Sequence, residues 1–227
     1  MLTDAIKATI KEYANGMSKP IAILLNIGEH EKRQELKEFI QTIASITDLI
    51  IFTEKDIGDK ARSPITFTIE VEGQPTGIYF SGIPAGHEFN SLILAILQSG
   101  GVEIKLEDHL KLIISNIKEK LTFETFVSLS CHNCPEVVQA LNSFSLLNEN
   151  ISNEMVDGGL FQDTIAEKNI QGVPSVYLNG ELFANGRGEI SSLIEKLRIY
   201  SQEVNVPLNE KDIIHDVVVI GGGPAGI

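Results

Sequence analysis

The chain of 227 residues has no tryptophan, two cysteines, no basic run and no long apolar run. Each shortage excludes something. No apolar stretch approaches the roughly 20 residues needed to cross a bilayer as a helix. The start, Met1-Leu2-Thr3-Asp4-Ala5-Ile6-Lys7, lacks the basic beginning and apolar core of a secretory signal, so a cytoplasmic location is expected. Positive charge is scarce: 18 Lys and Arg stand against 31 Asp and Glu, a formal net charge of −13. Nucleic acid needs phosphate-neutralising Lys and Arg, and an anionic membrane surface rewards them, so neither is an expected partner. The acidity itself reads as solubility, with charge spread over solvated faces. Structural disulfides are rare in the cytosol, so a close pair of cysteines there points to catalysis or metal binding.

What is present is an ordinary globular composition, 43% hydrophobic and 22% charged, on a chain long enough for one large domain or two small ones. Leu2, Ile6, Ile10 and Tyr13 recur at helical spacing with Gly16 as a C-cap, predicting an amphipathic helix. Residues 20–26 are nearly all apolar, as in a buried central strand. A helical period follows over 29–46, with Leu36, Phe39, Ile40 and Ile43 facing inward, then a strand over 48–53. Residues 65–71 alternate as a half-buried strand does, Gly73-Gln74-Pro75 turns the chain, and 77–81 returns as the second arm of a hairpin. An apolar helix over 87–98 is stopped by Gly100-Gly101.

The same order then repeats. Helix is predicted over 107–120, strand over 121–129, helix over 135–147 and strand over 151–156, then a short helix to Lys168. Residues 175–178 and 181–184 form a hairpin around Asn179-Gly180, and a last helix covers 189–197. Residues 199–212 are polar, contain Pro207 and show no period, as a linker does. Residues 213–220 read as a buried strand leading into Gly221-Gly222-Gly223-Pro224-Ala225-Gly226. That Gly-x-Gly-x-x-Gly pattern opens dinucleotide-binding folds, where Gly221, Gly223 and Gly226 let a helix N-terminus approach a pyrophosphate. A strand and half a loop cannot hold a dinucleotide, so the sequence reads as part of a longer enzyme.

Both cysteines sit in Leu129-Ser130-Cys131-His132-Asn133-Cys134-Pro135, between a predicted strand and a predicted helix. Three readings are open: a reversible redox dithiol, part of a zinc site, or two inert cysteines. Zinc needs about four ligands, and Cys131, Cys134 and His132 leave the set unfinished with no second cysteine pair. A strand-Cys-x-x-Cys-helix unit within a βαβ pattern favours the dithiol. Cys131 would then be the exposed attacking thiol, its thiolate favoured by the helix N-terminus. Cys134 would resolve, with Pro135 in a first turn where a missing N–H costs nothing. His132 as a cation would favour the thiolate further. Pro174, just before a strand, is either an ordinary loop proline or one with a cis bond packed on the disulfide. Glu88, near a helix start, reads on physics alone as complementing the helix dipole. His30, His87, His109 and His215 show no ligand spacing and read as surface or packing residues.

The stretch from Ser130 to Pro135, with Val137-Val138-Gln139-Ala140-Leu141-Asn142, Asp157-Gly158-Gly159, Gly172-Val173-Pro174 and Gly86-His87-Glu88-Phe89, resembles the N-terminal region of bacterial alkyl hydroperoxide reductase flavoprotein subunits. The resemblance covers essentially the whole chain, and those motifs show no departure from the family's pattern. It implies an α/β fold: two tandem thioredoxin-like folds sharing a continuous mixed sheet flanked by helices. The first would be cysteine-free over 1–102 and the second, over 103–198, would carry the dithiol. A linker over 199–212 and the truncated start of an FAD-binding domain over 213–227 would follow.

What the family implies is an electron relay. A thioredoxin-reductase-like body takes hydride from NADH onto FAD, passes two electrons to its own dithiol, and that dithiol reduces Cys131–Cys134. The N-terminal pair then reduces the disulfide of a partner peroxiredoxin. The resemblance also implies a homodimer through that body, no metal, and no cofactor held by these residues alone. It gives Glu88 a second meaning, since the matching glutamate reaches from the first fold to the dithiol in place of the buried acid of ordinary thioredoxins. The rival readings are a free-standing tandem disulfide oxidoreductase and a docking module with an incidental dithiol.

Overall fold

The computed structural model describes residues 2–186 and 190–200. The linker from 201, the strand expected over 213–220 and Gly221, Gly223 and Gly226 lie outside the described residues.

The first half runs α1 (Asp4–Ala14), β1 (Ile21–Leu25), α2 (Arg33–Ala44), β2 (Ile50–Glu54), a 3-10 turn (Gly58–Lys60), β3 (Thr66–Val71), β4 (Gln74–Ser81), a second 3-10 turn (Gly86–Glu88) and α3 (Phe89–Ser99). The second half repeats it with α4 (Asp108–Ser115), β5 (Leu121–Val127), α5 (Cys134–Leu147), β6 (Ile151–Asp157), α6 (Gln162–Glu167), β7 (Ser175–Leu178), β8 (Glu181–Asn185) and α7 (Ile190–Tyr200). All eight strands lie in one sheet of order β2-β1-β3-β4-β6-β5-β7-β8. Within each half one strand pair is parallel, β1 with β2 and β5 with β6, and the hairpins β3–β4 and β7–β8 are antiparallel. The expected architecture is the observed one: two tandem units and one mixed sheet.

The halves join where β4 pairs with β6 in parallel, Ile78 opposite Asn153 through Ser81 opposite Val156. Alone, each of these strands would expose an unpaired edge; together they remove both edges. Gly77 permits the join. Its φ is +79°, and a Cβ there would come within 2.6 Å of the Ile151 carbonyl oxygen. Helices α3 and α5 pack on each other near this seam, both largely buried along their length. The core of the first half extends across it to Val127, Cys134, Val138 and Met155.

Several local expectations are corrected. β3 is not half-buried: residues 66–69 are covered on both faces. Its threonines stay satisfied, Thr68 donating to the Ile78 carbonyl at 2.7 Å and Thr66 sharing a hydrogen bond with Ser81 at 2.6 Å. The first hairpin turns at Glu72-Gly73, both at positive φ, so Gln74 and Pro75 belong to β4. In α1 only Ile10 and Ala14 are buried, whereas Ile6 and Tyr13 are 39% and 58% exposed and border open grooves. α7 continues to Tyr200, so Ile199 and Tyr200 are helical rather than linker.

Candidate active site

β5 ends at Val127, and a tight loop leads into α5, closed by the Cys131 N–H donating to the Ser128 carbonyl at 2.9 Å. α5 starts at Cys134, one residue earlier than expected, with Asn133 at the N-cap position and Pro135 in the first turn. Cys131 and Cys134 form a disulfide with their Cα atoms 5.5 Å apart. Cys134 is fully buried and Cys131 half-buried, with His132 and Asn133 exposed beside them. The attackable sulfur is therefore that of Cys131. Free backbone N–H groups at this helix start favour negative charge on it once the disulfide is opened.

The Val173–Pro174 peptide bond is cis, Pro174 is buried, and the Val173 carbonyl oxygen lies 3.7 Å from the Cys131 sulfur. In the disulfide that sulfur carries no proton, so this is a contact; a reduced thiol could donate to the same oxygen.

The first half reaches the site through its second 3-10 turn. The His87 N–H donates to the Leu129 carbonyl at 3.0 Å, and a side chain at Gly86, where φ is +56°, would overlap that same carbonyl. The His87 and His132 rings lie 4.1 Å apart, centroid to centroid. Sequence reasoning set His87 aside; the available signal was its place between Gly86 and Glu88. Glu88 is fully buried, and burial raises its carboxyl to about 7. The Ser91 hydroxyl, one turn on, pulls in the opposite direction. Its geometry falls short of a formed hydrogen bond to either carboxylate oxygen, and both oxygens lack a partner among the described residues. On physics alone Glu88 was a helix-dipole residue; burial outweighs that.

A second link between the halves was not foreseen from sequence. Arg62, in the loop before β3, donates from Nε and Nη2 to the two Glu154 carboxylate oxygens at 2.9 and 2.8 Å and also pairs with Glu124. Lys168 completes the group, 3.1 Å from Glu124. Asp157 ends β6 and accepts from the Gly159 N–H at 3.0 Å, its carboxyl raised by burial. Among the described residues no three His, Cys, Asp or Glu side chains are placed to hold a metal ion, and no helix is long and apolar enough to cross a membrane.

A thioredoxin domain model matches residues 121–197, the half that carries the disulfide. The alkyl hydroperoxide reductase protein AhpF of Pseudomonas aeruginosa is 41% identical over all 227 residues, and AhpF of Escherichia coli K12 is 39% identical; the chain spans 43% of the length of each. The solved N-terminal domain of AhpF from Enterococcus faecalis is 30% identical, with a TM-score of 0.81 over 87% of this chain and 100% of that one. The chain belongs to the AhpF family of alkyl hydroperoxide reductases. Within it, these residues form the N-terminal, thioredoxin-like redox domain. A protein disulfide oxidoreductase of Aeropyrum pernix shares the fold, with a TM-score of 0.77 at 20% identity over 89% of this chain and 94% of that one.

Proposed function

We propose that this domain is the outgoing dithiol of an NADH-dependent peroxiredoxin reductase. The observation that carries the reading is the Cys131–Cys134 disulfide at the start of α5, with a fully buried Glu88 supplied by the turn that clasps its loop. In the reduced domain, Cys131 thiolate attacks one sulfur of the disulfide of a partner peroxiredoxin. A Cys131–partner bond forms, the partner disulfide breaks, and the departing thiolate takes up a proton. Glu88 accepts the Cys134 proton, Cys134 attacks the Cys131 sulfur, and the second partner thiol leaves. Two electrons have then passed outward and the Cys131–Cys134 disulfide is restored. His132 favours the Cys131 thiolate, and Pro174 shapes the surface against it.

In the longer protein, residues 1–102 and 103–198 are the two folds, a linker follows, and residues 213–227 begin an FAD domain to which Gly221, Gly223 and Gly226 contribute. FAD there supplies electrons from NADH to a second dithiol that reopens Cys131–Cys134. The body also forms the homodimer, and the protein works in the cytoplasm. The tandem fold and the match to AhpF relatives along the whole chain support this reading.

Trapping tests it. Cys134→Ser in the full-length protein, mixed with oxidised peroxiredoxin, is expected to accumulate a mixed disulfide through Cys131, resolved by mass spectrometry. Peroxiredoxin that binds without any covalent product would leave only a docking module and sink the relay.

A further inference from the structure

His132, the exposed residue that follows Cys131, meets a side chain from the other half. Its ring lies against the ring of His87, with centroids 4.1 Å apart and planes at 45°. The backbone that carries His87 is pinned. The His87 N–H donates to the Leu129 carbonyl at 3.0 Å, and the Glu88 N–H donates to the Ala85 carbonyl at 3.1 Å. Gly86, at φ +56°, brings this turn so close that a side chain there would overlap the Leu129 carbonyl. On the dithiol side the Cys131 N–H is bonded to the Ser128 carbonyl at 2.9 Å, while Asn133 makes no side-chain cap on α5. His87 is half-buried and His132 exposed. The cysteine-free half thus presents a fixed ring to a side chain that projects from the dithiol loop into solvent.

We propose that His87 is a positioning residue for the dithiol, its ring holding the His132 ring at the start of α5, where His132 favours the Cys131 thiolate. This rests on the role given to His132 above and names what fixes that side chain. An unrestrained exposed side chain samples several rotamers, and its influence on a neighbouring thiolate is averaged over them. A ring contact selects among those rotamers, and contacts of this kind are strong enough to change their populations several-fold. The first half thereby acts on the exchange through a ring as well as through the backbone bond to Leu129. The titratable groups on the elements packed around Cys131 are His87 and Glu88 on the clasping turn, His132, Cys134 and Glu136 at the start of α5, and Asp157 at the end of β6. Substituting His87 and His132 leaves the other four in place.

The test is the pH dependence of Cys131 alkylation in the reduced chain, followed through a cycle of single and double substitutions. His132→Ala is expected to raise the Cys131 midpoint. His87→Ala is expected to raise it by less, about half a pH unit, the lower end of what one aromatic contact contributes. In the His132→Ala background, His87→Ala is expected to add nothing, because the ring it positions is gone. His87→Phe keeps a ring at the position without an ionisable group and is expected to restore the midpoint of the unsubstituted chain. A midpoint that moves in His132→Ala but not in His87→Ala overturns the proposal alone. So does an equal rise in both backgrounds, since His87 would then act on the thiol without His132. A His87→Phe midpoint equal to that of His87→Ala overturns it as well. A midpoint unmoved by His132→Ala instead overturns the role of His132 on which the proposal rests, so the two failures are distinguishable.

Discussion

The two halves share a plan and differ in what they do with it. In the second, the loop after β5 carries Cys131, its sulfur 3.7 Å from the carbonyl oxygen of Val173, whose bond to Pro174 is cis. In the first, the loop after β1 carries no cysteine, and a Cβ at Gly28 would come within 2.8 Å of the Pro64 ring. In each half the segment just before the third strand thus approaches the loop after the first. The first half keeps that approach without the sulfur and without the cis bond, which among the described residues occurs only at Val173–Pro174. Its buried acid is Glu88, on the turn whose His87 N–H donates to the Leu129 carbonyl of the other half. The fold holds such a loop in place whatever the loop contains, so one copy can lack the cysteines and still pack as a wall against the other.

If the halves form one structural unit, the seam is where that unit is weakest to substitution. Gly77→Val combines a disfavoured backbone conformation with an overlap against the Ile151 carbonyl, so a loss of at least about 3 kcal/mol is expected. Urea unfolding followed separately in the two halves would show both falling together; two independent transitions would break the comparison.

Glu88 gives the next effect, and its sign follows from linkage. The folded carboxyl titrates at about 7 against an ordinary value of 4.5. Below the lower value both states are protonated; between the two, the unfolded chain ionises while the folded one holds its proton. Stability therefore falls as pH rises from about 4.5 to about 7, by up to about 3 kcal/mol, and levels off above. Glu88→Gln is expected to flatten that slope in denaturation midpoints taken across the range.

Arg62→Ala leaves Glu124 and Glu154 half-buried without their shared cation. Glu124 is held below the ordinary carboxylate range by Arg62 and Lys168 despite its burial. Because the group keeps some contact with water, a loss of about 2 kcal/mol is expected, shrinking when the pH is low enough to protonate the two acids. A loss confined to one half would show that the pair does not tie them together. The smallest effect belongs to Tyr13, exposed on α1: Tyr13→Ser should change stability by less than about 0.5 kcal/mol.

Much of this was legible in the chain. The apolar run at β1, the Asn179-Gly180 turn and the strand-Cys-x-x-Cys-helix order are local signals, carried by periodicity and turn chemistry. The misjudged places share one cause. Thr66 and Thr68 look like a solvent face until strands on both sides and cover on both faces bury them. Ile6 and Tyr13 look like a core stripe until the helix is seen to sit over open grooves. Glu88 reads locally as a helix-dipole residue and only the family resemblance pointed it at the dithiol, while His87 was set aside and Arg62 passed over.

The sequence alone determined the two-fold element order, the helix-start dithiol and the acidic character of the chain, because each is written within a few neighbouring residues or in the composition. Only the tertiary structure decided that β4 would close on β6, that Glu88 would be sealed from water, and that His87 would meet His132. Those outcomes depend on which distant surfaces exclude water from one another, and no local pattern encodes that pairing.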